Sequence, residues 1–147
     1  MSSRVFLDSS VVIAALLSDR GASHFILTDP VLQENYSFSV SEYVVTELLS
    51  VISRKLPLKV KDRLFLLLGV AGVGVLSNPS KNEVGDLISY VNQEDAPILA
   101  SAMRHSNYLL TLDNDFLGKK TIEFCQNHGL TVMKPGEFLR HINPETA

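Results

Sequence analysis

Short apolar runs alternate with longer amphipathic segments along the chain. The apolar runs are rich in β-branched and aromatic residues and predict buried strands at residues 5–7, 36–40, 73–76, 108–112 and 130–133. The segments between them have apolar positions at helical spacing and predict helices at residues 9–17, 22–27, 41–55, 60–68, 83–91, 96–105 and 121–128, with a terminal turn or helix from Pro135. Strands that are apolar throughout and separated by helices are typical of a parallel sheet covered on both faces. The pattern therefore predicts an α/β fold with a mainly parallel sheet of about five strands.

Serine, proline and glycine residues set the expected helix boundaries. Ser9 or Ser10 is placed to cap the first helix, and Ser41 to cap the helix that Pro57 ends. Asp29 and Pro30 are expected to stop the second helix.

The composition indicates a single folded domain over residues 1–147. Hydrophobic residues make up 46% of the 147 and the mean hydropathy is +0.16, which excludes a disordered chain and suggests apolar surface for a partner. The one cysteine, Cys125, excludes an intramolecular disulfide and a four-cysteine zinc site. The longest uncharged stretch, residues 64–80, contains three glycines and is shorter than the ~20 apolar residues of a membrane span. We expect a soluble, cytoplasmic protein.

Acidic residues follow the predicted strands. Asp8 comes after the first strand, Asp113 and Asp115 come after the fourth, and Asp95 begins the helix before it. Each has a simpler explanation as a helix cap or as part of a turn. In parallel sheets, however, ligands bind beyond the carboxyl ends of the strands. Like charges gathered there need neutralising, and a hard divalent cation held by oxygen atoms is the natural candidate.

Glu47 is a further acid of interest because it lies inside a strongly apolar helix, at the border of the buried stripe. Two interpretations stay open. Glu47 is either a solvated glutamate at the edge of that stripe or a carboxylate that points into the same acidic pocket.

Several other chemistries do not fit the sequence. It has no phosphate loop of the GxxxxGK[ST] type and no Gly-x-Ser-x-Gly elbow. The segment from Asp113 resembles the start of a calcium loop but has Leu117 and Phe124 where oxygen ligands are required. The four histidines show no ligand spacing and are interpreted as structural or surface residues.

Four segments occur in an order that resembles a known family. They are residues 7–12 (LDSSVV), 45–48 (VTEL), 95–102 (DAPILASA) and 111–116 (TLDNDF). From about residue 4 to about residue 140 the chain is similar to PIN domains, most of all to toxin ribonucleases of the VapC type.

The resemblance implies a three-layer α/β/α sandwich and a metal-dependent endoribonuclease that uses Mg²⁺ or Mn²⁺. Its catalytic acids would be Asp8, Glu47, Asp95 and Asp113. Asp8 with Asp95 or Asp113 would bind the metal directly, while Glu47 and Asp115 would orient water or hold a second ion. Ser9 or Thr111 would supply a supporting hydroxyl. The resemblance also implies a homodimer and an antitoxin partner.

The charge balance bears on an RNA substrate. The net charge of −3 argues against a nonspecific nucleic-acid binder, but setting the five acids aside leaves 11 acidic against 13 basic residues. Lys119 and Lys120 follow Asp115 and are the favoured candidates for phosphate contacts. Arg54 and Lys55 belong to a second basic segment, which is either a solvated helix junction or a strip that contacts RNA or an acidic partner.

Two alternatives to a ribonuclease toxin stay open. One is a PIN-like module that mainly binds RNA or protein. The other is a receiver or phosphatase domain of flavodoxin-like topology with an acidic Mg²⁺ pocket, which the lack of a second acid beside Asp8 disfavours.

The apolar run from Leu64 to Leu68 indicates that part of one helix contacts another element or a partner. Five successive apolar residues circle a helix, so not all of them can face one core. We expect some of these side chains to be covered by another element of the chain or to lie in an interface with a partner. We expect an antitoxin segment to lie in an apolar groove that leads towards the acids.

Overall fold

A five-stranded, entirely parallel sheet forms the centre of the computed structural model, which describes residues 3–142. Its strands are β1 (Ser3–Leu7), β2 (Tyr36–Ser41), β3 (Gly74–Leu76), β4 (Tyr108–Leu110) and β5 (Thr131–Met133). The helices in these residues are α1 (Ser9–Leu17), α2 (Ala22–Thr28), α3 (Pro30–Asn35), α4 (Glu42–Lys55), α5 (Lys59–Val70), α6 (Lys81–Gly85), α7 (Ala96–His105), α8 (Lys119–Asn127) and α9 (Pro135–Ile142). They cover both faces and give a three-layer α/β/α sandwich. The predicted fold class is confirmed.

The strand order places β1 at the centre of the sheet. The order is β3-β2-β1-β4-β5, so the chain builds outwards from β1 on one side and then crosses to the other side with β4 and β5. The carboxyl ends of β1 and β4 therefore flank the point where the strand order reverses, which is where open α/β sheets bind ligands. Leu7 lies beside Leu110 in the register, and the Asp8 amide donates to the Leu110 carbonyl over 3.0 Å.

The same order excludes a flavodoxin-like receiver. That topology has the order 2-1-3-4-5, with its second and third strands on opposite sides of the first. Here β2 pairs with both β1 and β3. The flavodoxin-like alternative is therefore wrong.

Two helix predictions differ from the structure. Asp29 and Pro30 stop α2 but also start α3, because the Asp29 side chain accepts from the Leu32 amide and Pro30 occupies the first turn. The helix predicted at 83–91 is shorter and begins earlier, as α6. Ser80 and Glu83 form a capping box at its start, and the chain leaves the helix at Gly85.

The core is continuous, and no single helix within residues 3–142 has the length and apolar character to cross a membrane. Helices α1 and α2 reach the required length and apolar character only when they are taken together, and the chain bends by 94° between them. Their inward residues, such as Val11, Val12, Ile26 and Leu27, are buried in the core. Residues 1, 2 and 143–147 lie outside the described residues, so a single domain over 1–147 stays a prediction.

Candidate metal centre

Asp8 is a buried carboxylate that is held by three hydrogen bonds. It is the N-cap of α1 and accepts from the Ser9 amide at 2.9 Å. Its Oδ2 atom accepts from the Ser10 hydroxyl and from the Thr111 hydroxyl, each at 2.8 Å. Burial raises the pKa of Asp8 above its ordinary value, although its hydrogen bonds act in the opposite direction. The bonds fix both the position and the orientation of the carboxylate.

The two hydroxyls that hold Asp8 also fix the end of β4. Thr111 Oγ1 accepts from the Asp113 amide and Ser10 Oγ accepts from the Leu112 amide, each at 3.0 Å. Asp113 in turn accepts from the Asp115 amide at 3.0 Å and so closes the turn. The loop after β4 is thereby joined to Asp8.

Glu47 points towards the same site. Its Oε1 atom accepts from the Ser9 hydroxyl at 3.2 Å, and its side chain is half-buried on α4. Burial raises the pKa of Glu47, the bond from Ser9 opposes this, and the charges of Asp8 and Asp113 add to it. Of the two interpretations of Glu47, the structure therefore matches the one in which it faces the acids.

Asp95, Asp113 and Asp115 form a tight carboxylate triad. One oxygen from each lies within 4.8 Å of the others. Asp95 begins α7 but makes no side-chain capping bond, so capping does not explain its presence. Burial and then the carboxylates of Asp113 and Asp115 raise the pKa of Asp95 to about 7.

The donor set of the triad fits a hard divalent cation. It consists of carboxylate oxygens from three residues, which are the ligands that Mg²⁺ and Mn²⁺ take in proteins. Asp8 is not a member of this closest group, and its oxygens accept hydrogen bonds from Ser9, Ser10 and Thr111. A direct ligand role for Asp8 stays a prediction.

The predicted basic residues occupy two places. Lys119 and Lys120 are exposed on the first turn of α8, shortly after Asp115. Arg54 and Lys55 are exposed at the end of α4, roughly 10 Å along the helix from Glu47.

Three residues of the site were not predicted as site residues. Ser10, considered only as a helix cap, bridges Asp8 and the loop after β4. Asn92 donates to Asp115 Oδ2 at 2.6 Å, and Tyr43 donates to the Glu94 carbonyl, next to Asp95, at 2.9 Å. No local pattern marks Asn92 or Tyr43, because each bond joins residues more than 20 positions apart.

Comparison with known proteins decides the family. A family model described as PIN domain matches residues 4–115. The chain belongs to the PIN domain family. The matched range includes all five acids of the site, and the predicted resemblance to PIN domains is confirmed.

Two solved structures share the PIN fold of this chain at low sequence identity. VapBC2 from Rickettsia felis, bound to a DNA fragment from their promoter, has a TM-score of 0.66 and 17% identity, covering 88% of this chain and 98% of that chain. PAE2754 from Pyrobaculum aerophilum has a TM-score of 0.63 and 16% identity, covering 99% of this chain and 98% of that chain. A search of curated proteins gave no match to the sequence.

Proposed function

We propose that the protein is a metal-dependent endoribonuclease that hydrolyses RNA phosphodiester bonds. The observation that carries this proposal is the triad of Asp95, Asp113 and Asp115 beside Asp8 and Glu47, at the reversal point of a PIN-domain sheet. Five carboxylates that lie close together repel each other, and a bound divalent cation would offset this electrostatic repulsion.

The residues divide into two roles in this proposal. Asp95, Asp113 and Asp115 hold Mg²⁺ or Mn²⁺, and Asp8 completes the site from its fixed position. A bound ion supplies Lewis-acid chemistry, since it lowers the pKa of water and stabilises charge on the phosphate. Glu47 orients the attacking water and accepts its proton, a role that suits a carboxylate of raised pKa. The Ser9 hydroxyl keeps Glu47 directed towards the site.

The test is an RNA cleavage assay on protein freed of contaminating nucleases. Total RNA is incubated with and without Mg²⁺ or Mn²⁺, and Asp8→Asn is compared with Asp19→Asn. Asp19 is an exposed carboxylate just beyond the carboxyl end of α1, so its variant controls for the loss of one acid. Cleavage that needs metal, is lost in Asp8→Asn and persists in Asp19→Asn supports the proposal. RNA binding without cleavage under every condition would contradict it and favour the binding module instead.

We propose further that the chain is the toxin of a type II toxin–antitoxin pair in the cytoplasm. A groove of about 650 Å³ lies between α1, α2 and α5 and is lined by both apolar and polar side chains. Leu17 and Leu66 on its walls are 61% and 68% exposed. Large apolar side chains that line a groove are typical of a surface that a partner covers. The α1 residues that line the groove, Ala15 to Leu17, lie at the carboxyl end of this helix, whereas Asp8 caps its amino end. An antitoxin segment that follows α1 would therefore run from this groove towards the acids.

Growth arrest and its rescue test the pairing. Expression of the chain is expected to arrest growth, and the product of an adjacent small gene is expected to restore growth and co-purify with it. Leu66→Glu should abolish the co-purification, whereas Ile88→Glu, an exposed apolar residue outside the groove, should not. Co-purification that survives Leu66→Glu would place the partner elsewhere.

A further inference from the structure

Positive charge is concentrated where the chain passes from α4 to α5. Residues 54–63 hold five of the 13 basic residues and one of the 16 acidic residues, a net charge of +4. The remaining eight basic and fifteen acidic residues give the rest of the chain a net charge of −7. At this junction lies a set of four cations that we call the basic corner: Arg54, Lys55, Lys59 and Lys61.

The side chains of the basic corner are open to solvent. All four are exposed, and within residues 3–142 none of them forms an ion pair, since the pair present there joins Arg104 to Glu83. Leu58, in the middle of the corner, is 85% exposed, so this part of the surface projects from the molecule. The cations are therefore accessible to a ligand of opposite charge.

Helix stability explains only half of the basic corner. Arg54 and Lys55 lie in the last turn of α4, where cations interact favourably with the helix dipole. Lys59 and Lys61 lie in the first turn of α5, where the dipole disfavours cations, and this turn has one acid and no side-chain cap. Formation of α5 therefore does not account for these two lysines, whereas contact with an anion does.

Helix α4 connects the basic corner to the candidate metal centre. Glu47 and Lys55 are eight residues apart on this helix, which is about 12 Å along its axis. Charges are largely screened beyond about 8 Å at physiological ionic strength, so the carboxylates of the site do not cancel the charge of the corner. An RNA strand cut at the acids carries further phosphates on each side of the cut bond. Several nucleotides of such a strand span the distance along α4.

We propose that the basic corner anchors the phosphate backbone of the substrate RNA at a distance from the bond that is cut. Ionic contacts to phosphates add affinity without reading the base sequence. The competing occupant is an acidic segment of a protein partner. RNA is favoured because α4 runs directly from the corner to the acids. The inference rests on the proposed ribonuclease function for the identity of the substrate.

The test measures how salt affects binding of a fluorescein-labelled single-stranded RNA of about 16 nucleotides, the upper end of single-strand site sizes. The protein is the Asp8→Asn variant with Mn²⁺, so that cleavage does not consume the RNA, and fluorescence anisotropy reports binding. The double variant Lys59→Gln/Lys61→Gln should lower the slope of log affinity against log salt by about 1.4, or about 0.7 for each lost phosphate contact. The charge-retaining Lys59→Arg/Lys61→Arg should keep the parent's slope.

The matched control removes two exposed cations elsewhere. Arg4→Gln/Arg140→Gln makes the same change in net charge, at β1 and α9, and should leave the slope unchanged. Thermal unfolding of each variant separates folding from binding. Loss of Lys59 and Lys61 should not lower the melting temperature, because the dipole of α5 disfavours them. If the double variant does not fold, Lys59→Gln alone decides, with an expected loss of about 0.7 in the slope.

Cleavage kinetics on the background with Asp8 intact give an independent measurement. Lys59→Gln/Lys61→Gln should raise KM for the same RNA and leave kcat near that of the wild type, because the corner lies away from the bond that is cut. An equal loss in kcat with unchanged KM would contradict an anchoring role.

The outcomes distinguish this proposal from the proposed function. A salt slope that Lys59→Gln/Lys61→Gln leaves at the parent's value overturns the RNA contact. If the same variant also fails to co-purify with the antitoxin, the corner binds an acidic protein segment instead. A wild-type protein that cleaves RNA with no dependence on the corner loses only this inference. One that binds RNA with the expected slope but never cleaves it retains the anchor and loses the nuclease activity.

Discussion

Thr111 shows how individual residues build the site. Its single hydroxyl donates to Asp8 and accepts from the Asp113 amide, so one oxygen joins the acid after β1 to the acid after β4. Thr111 is fully buried, and no solvent replaces either bond when the hydroxyl is lost. Asp8 accepts three hydrogen bonds from neighbouring groups, whereas Asp95 lies among other carboxylates.

Thr111→Val is therefore expected to lower the free energy of unfolding by about 1–3 kcal/mol, the cost of an unpaired buried polar group. Affinity for Mn²⁺ should fall with it, because Asp8 and Asp113 lose a common restraint. Urea unfolding measures the first effect and calorimetry the second. Thr46→Val is the control, since the Thr46 hydroxyl donates only to the Glu42 carbonyl on the exposed side of α4, and it should change the stability by less than about 0.5 kcal/mol. Equal effects of the two variants would contradict this role of Thr111.

The raised pKa of Asp95 gives a second prediction at the residue scale. A carboxyl whose pKa is about 7 in the folded state, against 3.8 ordinarily, binds its proton more tightly when folded. Between those two values the folded state holds more protons, so the stability of the metal-free protein falls as the pH rises from about 4 to about 7. Asp8 and Glu47 act in the same direction. Melting temperatures in a chelator should decrease from pH 5 to pH 8, and Asp95→Asn should flatten the decrease. A slope that Asp95→Asn leaves unchanged would contradict the assignment.

At the scale of elements, the segment between α6 and α7 connects the site to its surroundings. Tyr43 of α4 donates to the Glu94 carbonyl, Thr121 of α8 donates to the Tyr90 carbonyl, and Asn92 donates to Asp115. These three bonds place the start of α7, and therefore Asp95, against the loop after β4. The segment is irregular, and side chains from other elements determine its position.

Asn92→Ala is expected to weaken Mn²⁺ binding by about tenfold, because partners that orient metal ligands typically contribute 10- to 100-fold and Asn92 is exposed. The fold should be unaffected. Calorimetric titration of Mn²⁺ measures the change, with Asn127→Ala at the exposed end of α8 as the control. Wild-type affinity in Asn92→Ala would show that Asp115 needs no such partner.

The elements differ in how far the sequence predicts them. All five strands and most helices follow from apolar spacing, because buried strands and amphipathic helices have characteristic periods. Helix α3 was missed because Asp29 and Pro30 end one helix and start the next. Asp8, Asp113 and Asp115 could be predicted because they follow strands of a parallel sheet, whereas Glu47 lies on a helix and Asp95 begins one, and both were assigned to the site from the resemblance to PIN domains. Asn92 and Tyr43 could not be predicted, since their bonds depend on how an irregular segment packs.

At the scale of the whole molecule, charge and apolar surface occupy different regions. The acids gather at the carboxyl ends of β1 and β4, and basic residues outnumber acidic ones in the rest of the chain. Large apolar side chains are exposed on several helices, including Phe25 of α2 and Leu66 and Val70 of α5. A bound metal ion would reduce the repulsion between the gathered carboxylates, and a partner would remove the exposed apolar side chains from water.

The exposed apolar side chains lead us to expect a homodimer. Light scattering at high micromolar concentration should give twice the mass of 16.2 kDa that the chain has. A second copy buries apolar area that one copy leaves in water, and this favours association. A monomeric mass at that concentration would contradict the expected homodimer.

The most direct test of the central claim is a joint titration of Mn²⁺ binding and RNA cleavage on the same protein preparation. Binding is followed by the spectroscopic signal of free Mn²⁺, and cleavage by the initial rate on one synthetic RNA. We predict that both reach half-saturation at the same free Mn²⁺ concentration. Asp113→Asn should weaken binding and abolish cleavage, whereas Asp19→Asn should alter neither. Cleavage that proceeds in a chelator, or at the same rate in Asp113→Asn, would contradict the claim that these carboxylates hold the metal that cleaves RNA.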